Sequence, residues 1–333
     1  TRETVRWFET RGGKAIDEKT FAELGITSFA SMAVGEGMLL VAGTDGTLAC
    51  VDLSARKTLW RARLPGKNPA PTTVMSIRGG RVLVTNDQGR RMTCYSLAEG
   101  GRVVGEWQGA NLEGYLADDG LVVVALGNEV SVHETGHAAK TLWKRKYDSG
   151  SGMSLLAASA RGIAVWTGRE GKIEVLALLA VEEGGRVLNT LQLPDAINLT
   201  PADAVLDGES LYVVCGSARR VSGRQRVYWN TAVICYGLYV VKFDLGGSGG
   251  QPAWSSVLES NNSMPFYTVP MTVGRGHLVV TSRPANYQAA TSAYVLDAAD
   301  GQTVRQVPLS GSGQRDNFAL RRRMAIGPAV MTN

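Results

Sequence analysis

Residues 133–143 read HETGHAAKTLW and residues 50–60 read CVDLSARKTLW, so the tetrapeptide Lys-Thr-Leu-Trp ends both stretches. Each stretch includes or follows a run of alternating or β-branched residues, EVSVHE in one case and TLACVD in the other, which is typical of a β-strand. The two stretches therefore occupy the same place in a repeated unit. We predict that both contain a turn between two strands.

The same comparison bears on a zinc-protease motif. His133, Glu134 and His137 match H-E-x-x-H, which binds zinc when a helix places both histidines on one face. In the alignment His133 corresponds to Cys50 and His137 to Ser54, so the motif is predicted to lie on a strand and a turn. A turn does not present residues i and i+4 as a helix does, and we expect no zinc site there. The downstream residues Glu170 and Glu174 are the candidates for a third ligand in the metalloprotease alternative.

The repeated unit consists of four short strands separated by turns that contain Gly or Asp. A sheet of this kind has two apolar faces, and it buries both when copies stack face to face around an axis, as blades of about 40–50 residues do in β-propellers. Six complete copies are predicted, and the fifth carries a long insertion. They cover residues 29–65, 72–109, 112–148, 153–194, 201–258 and 268–309.

The two ends of the chain are predicted to complete the ring. The segment TVRWF (4–8) resembles TVRQV (303–307), which is the last strand of the sixth copy. The segment RMAIGPAVMTN (323–333) has the pattern of the first two strands of a further copy. Joining these ends in one blade removes two exposed sheet edges. We therefore predict an all-β fold: one domain over residues 1–333, a seven-bladed β-propeller of four-stranded antiparallel blades, with eight blades as the alternative.

One segment departs from the strand pattern. KAIDEKTFAEL (14–24) is the single helix candidate in the chain.

A stretch of about 20 apolar residues would be needed to cross a membrane, and the sequence contains none, so no membrane-spanning segment is predicted. The chain begins at Thr1 without a signal segment and ends inside a predicted strand, so we expect it to be a processed or trimmed piece.

The charge balance is mildly basic, with 35 Lys and Arg against 30 Asp and Glu, a net charge of +5 and a pI near 9.0. Proteins that bind nucleic acids usually concentrate basic residues in a stripe with aromatic residues between them. The nearest such group lies in the insertion of the fifth copy, where solvated loop charge is the commoner explanation. Nucleic acid is therefore not the expected partner.

The four cysteines are predicted to be buried thiols. Cys50 and Cys94 fall at near-equivalent third-strand positions of adjacent copies. Cys215 and Cys235 flank the insertion, so a disulfide at its base is the alternative. The sequence contains no C-x-x-C pair.

Three segments resemble the pyrroloquinoline-quinone (PQQ)-type repeat, which reads roughly A-x-D-x-x-T-G-K-x-x-W. They are CVDLSARKTLW (50–60), VLDAADGQTVR (295–305) and KFDLGGSGGQPAW (242–254). That resemblance implies a propeller of the quinoprotein-like family. The family includes PQQ-dependent dehydrogenases with calcium and non-catalytic scaffolds of the bacterial envelope. The dehydrogenases carry an adjacent Cys-Cys pair, which this sequence lacks. The matching residues are Asp52, Asp244, Asp297, Gly301, Trp60, Trp143 and Trp254.

Chain direction alternates within a blade whose strands are named A to D, so the B–C and D–A connections leave on one face. The long connections 216–231 and 282–292 join B to C, and 259–268 and 310–323 join D to A. All four are predicted to lie on this long-loop face of blades 5–7, where binding residues are expected. The candidate binding residues are Arg219, Arg220, Arg224, Arg226, Tyr228, Trp229, Asn261, Asn262, Tyr267, Arg283, Asn286, Tyr287, Gln314, Arg315, Arg321, Arg322 and Arg323.

These features favour a non-catalytic scaffold that binds a protein, or a polar or acidic ligand, in the periplasm or elsewhere in the bacterial envelope. Arg, Tyr and Trp are the side chains that most often anchor protein interfaces. No catalytic residue, metal ligand or cofactor is assigned from the sequence. A quinoprotein oxidoreductase using PQQ with calcium is the alternative, and bound quinone with dye-linked alcohol oxidation would distinguish it.

Overall fold

The computed structural model describes residues 4–8, 15–66, 73–110, 112–117, 120–136, 139–148, 153–168, 172–179, 184–194, 199–217, 234–247, 250–259, 265–268, 271–284 and 292–308. No α-helix occurs within these ranges, and 27 β-strands do. The all-β fold class is therefore confirmed.

Six four-stranded antiparallel blades make up most of the described chain. Blades 1 and 2 contain β3 (Phe29–Gly35), β4 (Met38–Gly43), β5 (Thr47–Asp52), β6 (Thr58–Arg63), β7 (Thr73–Arg78), β8 (Arg81–Asn86), β9 (Arg91–Ser96) and β10 (Arg102–Gln108). Blades 3 and 4 contain β11 (Leu112–Leu116), β12 (Leu121–Leu126), β13 (Glu129–Glu134), β14 (Lys140–Lys146), β15 (Ser154–Ser159), β16 (Gly162–Trp166), β17 (Lys172–Leu176) and β18 (Val187–Gln192).

The last two blades are joined by an extra strand. Blade 5 contains β19 (Leu199–Asp207), β20 (Ser210–Ser217), β21 (Ile234–Asp244) and β22 (Trp254–Glu259). Blade 6 contains β24 (Thr272–Gly274), β25 (His277–Pro284), β26 (Ser292–Asp297) and β27 (Thr303–Pro308). The joining strand is β23 (Pro265–Thr268), so the connection predicted as a loop over 259–268 contains a strand.

The N-terminal residues form a hairpin, in which β1 (Thr4–Phe8) pairs antiparallel with β2 (Ala15–Thr20). These are two strands of the seventh blade, so seven blades fit the chain. β2 takes the outer, D position, because Arg56 in the C–D turn of blade 1 contacts Ile16 O and Asp17 on it. The segment 4–8 is therefore strand C rather than the predicted strand D. Residues 323–333 lie outside the described residues, and closure of the ring through them stays a prediction.

The helix predicted over residues 14–24 is wrong. Residues Ala15–Thr20 are β2, and a turn follows them. A helix-start signal is present, because the Thr20 and Glu23 side chains each accept a hydrogen bond from the other's backbone N–H. The helix does not continue because Phe21, Leu24 and Ile26 pack on blade 1, with Leu39 and Val41. Tertiary packing thus outweighs the local helix signal.

The core lies between neighbouring blades, as the stacking argument requires. Separate apolar clusters fill the contacts between blades 1 and 2, 2 and 3, 3 and 4, 4 and 5, and 5 and 6. The first strands of blades 1 to 6 (β3, β7, β11, β15, β19 and β24) contact one another in succession. In blades 1 to 6 strand A therefore lines the central axis.

Three tryptophans join consecutive blades through one repeated contact. Trp60, Trp143 and Trp254, on the D strands of blades 1, 3 and 5, each lie against a glycine in the C–D turn of the next blade. A Cβ on that glycine would approach the indole ring to 2.5–2.6 Å, and each glycine has a φ between +74° and +81°. Only glycine satisfies both conditions. The three glycines are Gly101, Gly185 and Gly301.

Candidate binding surface on the long-loop face

The extra strand β23 joins blades 5 and 6 on the face where the long connections were predicted. It pairs with the first residues of β21, where Ile234 lies opposite Tyr267 and Tyr236 opposite Pro265. On its other side it pairs with the last residues of β25. Strand C of blade 5 is thereby connected to strand B of blade 6. We call the three segments Ile234–Tyr236, Pro265–Thr268 and Ser282–Pro284 the bridging sheet.

A glycine permits β21 to serve both blade 5 and the bridging sheet. Gly237 has a φ of +77°, a conformation that residues with a Cβ rarely adopt. From Leu238 onward β21 pairs with β22 inside blade 5, whereas before Gly237 it pairs with β23. The strand changes its neighbour at this residue, and the bridging sheet extends blade 5 on the long-loop face.

The bridging sheet brings the ends of three long connections together. Ser217, where the insertion of blade 5 begins, lies opposite Tyr236, close to where the insertion ends. Ser282 and Ser292, on either side of the next connection, are also paired. The third connection contributes β23 itself. This convergence agrees with the predicted clustering of long loops on one face.

Two of the predicted binding residues are placed by the structure. Tyr267 on β23 and Arg283 on β25 are directly paired positions of the bridging sheet. The other predicted residues lie outside the described residues, and their role stays a prediction. They are Arg219, Arg220, Arg224, Arg226, Tyr228, Trp229, Asn261, Asn262, Asn286, Tyr287, Gln314, Arg315, Arg321, Arg322 and Arg323.

Two carboxylates at the central axis were not predicted from the sequence. Asp203 Oδ2 on β19 accepts a hydrogen bond of 2.6 Å from the backbone N–H of Met271, in the next blade. Glu113 Oε2 on β11 accepts one of 2.8 Å from the backbone N–H of Leu155, also in the next blade. Strand A is the inner edge of each sheet, so its N–H groups facing the axis need such acceptors.

Burial changes the acid–base behaviour of this axial group. Removal from water raises the pKa of Asp203 to about 7, although the N–H groups of Met271 and Ala204 oppose the shift. Burial also raises the pKa of Glu113. Tyr115 has its pKa raised by burial first, and then by the negative charges of Asp203 and Glu113. Glu113, Tyr115 and Asp203 are half-buried rather than fully enclosed.

The H-E-x-x-H stretch lies where the alignment placed it. His133 and Glu134 end β13, and Thr135 and Gly136 follow outside any helix; His137 lies outside the described residues. His133 is 8% exposed, its ring nitrogens lie 2.9 Å from Ser131 Oγ and 3.2 Å from Thr141 Oγ1, and its ring meets Trp107 edge-on. Burial lowers the pKa of His133 to about 4, so it is a neutral core residue.

The three cysteines whose side chains the structure describes are buried, as predicted, and the side chain of Cys235 lies outside the described residues. Cys50 and Cys94 are buried free thiols, and burial raises their pKa values to about 11 and about 12. Cys215 lies opposite Tyr239 in the pairing of β20 with β21. The register shifts by one residue before the next pair, Ser217 with Tyr236, so Cys235 is offset from Cys215 by three positions, which corresponds to about 10 Å along a strand. A disulfide requires Cα atoms within about 7 Å, so this register does not suit a Cys215–Cys235 bridge.

The calcium–quinone group implied by the repeat resemblance has no matching donor set in the described part of the chain. No three His, Cys, Asp or Glu side chains converge there as a metal site would require. The two axial carboxylates are each engaged by a backbone N–H of the next blade. Among the described residues, no helix is both long and apolar enough to cross a bilayer.

Comparison with solved structures identifies the class of protein, a β-propeller. The structure of the computationally designed Ika8 protein superimposes with a TM-score of 0.57 at 14% identity, covering 91% of this chain and 80% of that one. Hsv2 of Kluyvelomyces marxianus superimposes with a TM-score of 0.58 at 10% identity, covering 92% of this chain and 93% of that one. At these identities the likeness concerns the fold alone.

The family follows from the sequence comparison. A family model described as Outer membrane protein assembly factor BamB, PQQ_2, matches residues 1–233. The chain therefore belongs to this family of PQQ-type repeat propellers. No match was found among curated proteins.

Proposed function

We propose that this chain is a non-catalytic scaffold of the bacterial cell envelope that binds an acidic protein surface through its long-loop face. The family to which it belongs takes its description from an outer membrane protein assembly factor. Assembly of that kind depends on binding between proteins. A propeller supports this role because its rigid blades hold long loops in a fixed arrangement.

The distribution of charge carries the proposal. The four long connections, 216–231, 259–268, 282–292 and 310–323, contain nine Arg and two acidic residues, Glu259 and Asp316, and therefore have a net charge of +7. The whole chain has a net charge of +5, so the remainder has a net charge of −2. Positive charge concentrated on one face steers and orients an acidic partner.

The partner can be captured and the charge tested in two stages. A photo-crosslinking amino acid at Tyr267, on the bridging sheet, is expected to capture a partner from envelope fractions of the source bacterium. The same amino acid at Glu209, in the exposed A–B turn on the opposite face, is the control. The captured protein is then purified, and its affinity for the full chain is measured by calorimetry.

Charge reversal decides whether the long-loop face is the binding surface. Reversing Arg219, Arg224 and Arg226 to Glu is expected to weaken binding at least about tenfold, because interface charges of one sign would then repel. The matched control reverses Lys57, Lys140 and Arg275 to Glu, which are exposed at turns of the opposite face, and should change affinity less than about twofold. Equal losses in both triple variants would refute the proposal.

The oxidoreductase alternative is tested by a separate measurement on the same purified protein. Addition of PQQ and calcium is expected to produce neither a saturable absorbance change nor dye-linked oxidation of an alcohol. Observation of both would replace the scaffold proposal with the quinoprotein reading, whatever the crosslinking experiment captured.

A further inference from the structure

The outer strands of three neighbouring blades carry little charge. β18, β22 and β27 are the D strands of blades 4, 5 and 6, and their 18 residues include two charged ones, Glu259 and Arg305. The outer strands of the other blades, β6, β10, β14 and β2, include eleven charged residues among 26. Charged side chains on an outer strand hinder its pairing with a strand of another molecule. Blades 4 to 6 therefore lack a protection that the other blades have.

The same three strands expose aliphatic side chains. Leu188 on β18, Val257 on β22 and Val304 on β27 are 42%, 59% and 60% exposed. Single exposed aliphatic residues are common on protein surfaces, so exposure by itself does not define a site. Combined with the lack of charge, it makes these three strands, which we call the neutral rim, the part of the outer surface best suited to contact another chain.

Two strands of the neutral rim are protected by other means. In β18 the backbone N–H of Gln192 donates to Gly250 O at 3.0 Å, in the C–D turn of blade 5. A Cβ on Gly250 would lie 2.2 Å from Thr190 O, so this turn covers part of the edge of β18. β27 contains Arg305 and ends at Pro308, which has no N–H to donate to a further strand.

The edge of β22 has no such protection. Within the described part of the chain β22 pairs with β21, and no backbone hydrogen bond reaches it from the C–D turn of blade 6. That turn contacts side chains of β22 instead, since Gly301 O accepts the hydroxyl of Ser256 at 2.5 Å. Ser255 and Val257 alternate with Ser256 along the strand and are exposed. The backbone of β22 is therefore available to a further strand.

We propose that the neutral rim is a self-association surface, in which β22 pairs antiparallel with β22 of a second copy and joins the two fifth blades into one sheet. A two-fold axis uses the same strand twice, and two-fold dimers are the commonest oligomers of soluble proteins. Pairing centred near Ser256 places the two Glu259 residues about 20 Å apart along the strands, so the one charged residue of β22 meets no like charge. The inference goes beyond the proposed function, because it requires no acidic partner.

The basic connections favour the antiparallel arrangement over the parallel one. β22 runs from the C–D turn of blade 5 to the connection 259–268 on the long-loop face. Antiparallel pairing turns the two long-loop faces in opposite directions, whereas parallel pairing would place them side by side. Because the long connections of each copy have a net charge of +7, repulsion disfavours the parallel arrangement. Both long-loop faces of the antiparallel dimer stay free to bind an acidic protein.

Sedimentation velocity of the purified full chain measures the association. One paired strand buries less surface than a standard interface, so we expect a dissociation constant on the order of tens of micromolar. The chain should sediment as a 35.5 kDa monomer at about 1 µM and mainly as a dimer at about 300 µM. Val257→Lys is expected to weaken dimerisation at least about tenfold, because it places two ammonium groups at the paired edges.

The matched control is Leu59→Lys on the outer strand of blade 1. Leu59 is 51% exposed, similar to Val257, and lies outside the neutral rim. This variant should change the dissociation constant less than about twofold, because distant sites act independently. Both variants replace exposed side chains and should keep the melting temperature of the wild-type chain, so a lost dimer is distinguished from a lost fold.

Hydrogen exchange shows which strand forms the contact. Backbone amides of residues 254–258 that do not bond to β21 should exchange at least about threefold more slowly at about 300 µM than at about 1 µM, whereas those of β6 should not change. A monomer at every concentration, a dimer unaffected by Val257→Lys, or unchanged exchange in β22 would each overturn the proposal. Capture of a different protein by a photo-crosslinking residue at position 257 of a monomeric chain would overturn it as well.

Discussion

Burial shifts the pKa values of His133 and Asp203 in opposite directions. Burial disfavours the charged form of each, so it lowers the pKa of the histidine to about 4 and raises that of the aspartate to about 7. Acid therefore destabilises the native state through His133, whereas Asp203 favours it at low pH. The two effects overlap between about pH 4 and 7, and only comparison of variants separates them.

Replacement of His133 by Gln is expected to flatten the acid side of the stability profile. In the native state His133 resists protonation until about pH 4, whereas the unfolded chain protonates it near 6.5, so its contribution is complete above 6.5 and is lost as the pH falls. The variant loses the ring contact with Trp107 and is less stable at neutral pH. Its deficit should shrink by about 2 kcal/mol between pH 7.5 and 4.5, as measured by urea unfolding. A constant deficit would contradict a neutral, buried His133.

At the scale of the elements, the strands and the contacts that join the blades form for different physical reasons. The strands follow from local alternation of apolar residues, but the contacts between blades depend on single turn glycines. Trp143 is 4% exposed and donates its indole N–H to Leu178 O at 2.8 Å, in the C–D turn of the next blade. Gly185, in the same turn, leaves room for the ring. The Lys-Thr-Leu-Trp tetrapeptide is therefore half of a contact whose other half lies about 40 residues downstream.

Gly185→Ala is expected to destabilise the fold by about 2–4 kcal/mol, through strain at positive φ and displacement of Trp143. Gly127→Ala is the matched control, because Gly127 has a similar φ of +65° and no heavy atom within 4 Å of an added Cβ. It should cost only about 1 kcal/mol, the strain alone. Chemical unfolding of both variants gives the comparison, and equal costs would show that the tryptophan contact contributes nothing.

At the scale of the whole molecule, the ring depends on residues far apart in the chain. Val5 and Trp7 of β1 pack on the same apolar cluster as blade 1, so the N-terminal hairpin covers a face that would otherwise be exposed. The predicted partner strands, in residues 323–333, would complete this blade. Six stacked blades and a hairpin leave an incomplete ring, and closure removes the remaining sheet edges.

Deletion of residues 1–20 and deletion of residues 323–333 are expected to lower the melting temperature by similar amounts, and their effects should not add. Either deletion disrupts the same blade, so the second deletion has little further structure to remove. Differential scanning calorimetry of both single deletions and the double deletion tests this, with removal of residues 1–3 as the control. An unchanged melting temperature after deletion of 323–333 would contradict closure by that segment.

The sequence by itself determined the all-β class, the repeated four-stranded unit, the family resemblance and the placement of HETGH on a strand and turn. These features depend on period-two alternation and on turn residues, which act over a few neighbouring positions. Only the tertiary structure decided that Ala15–Thr20 is a strand, that β23 joins blades 5 and 6, and that Glu113 and Asp203 meet backbone N–H groups of the next blade. Each of these depends on partners brought together by the folded chain, and no local pattern of residues encodes a partner that lies 7 to 68 positions away.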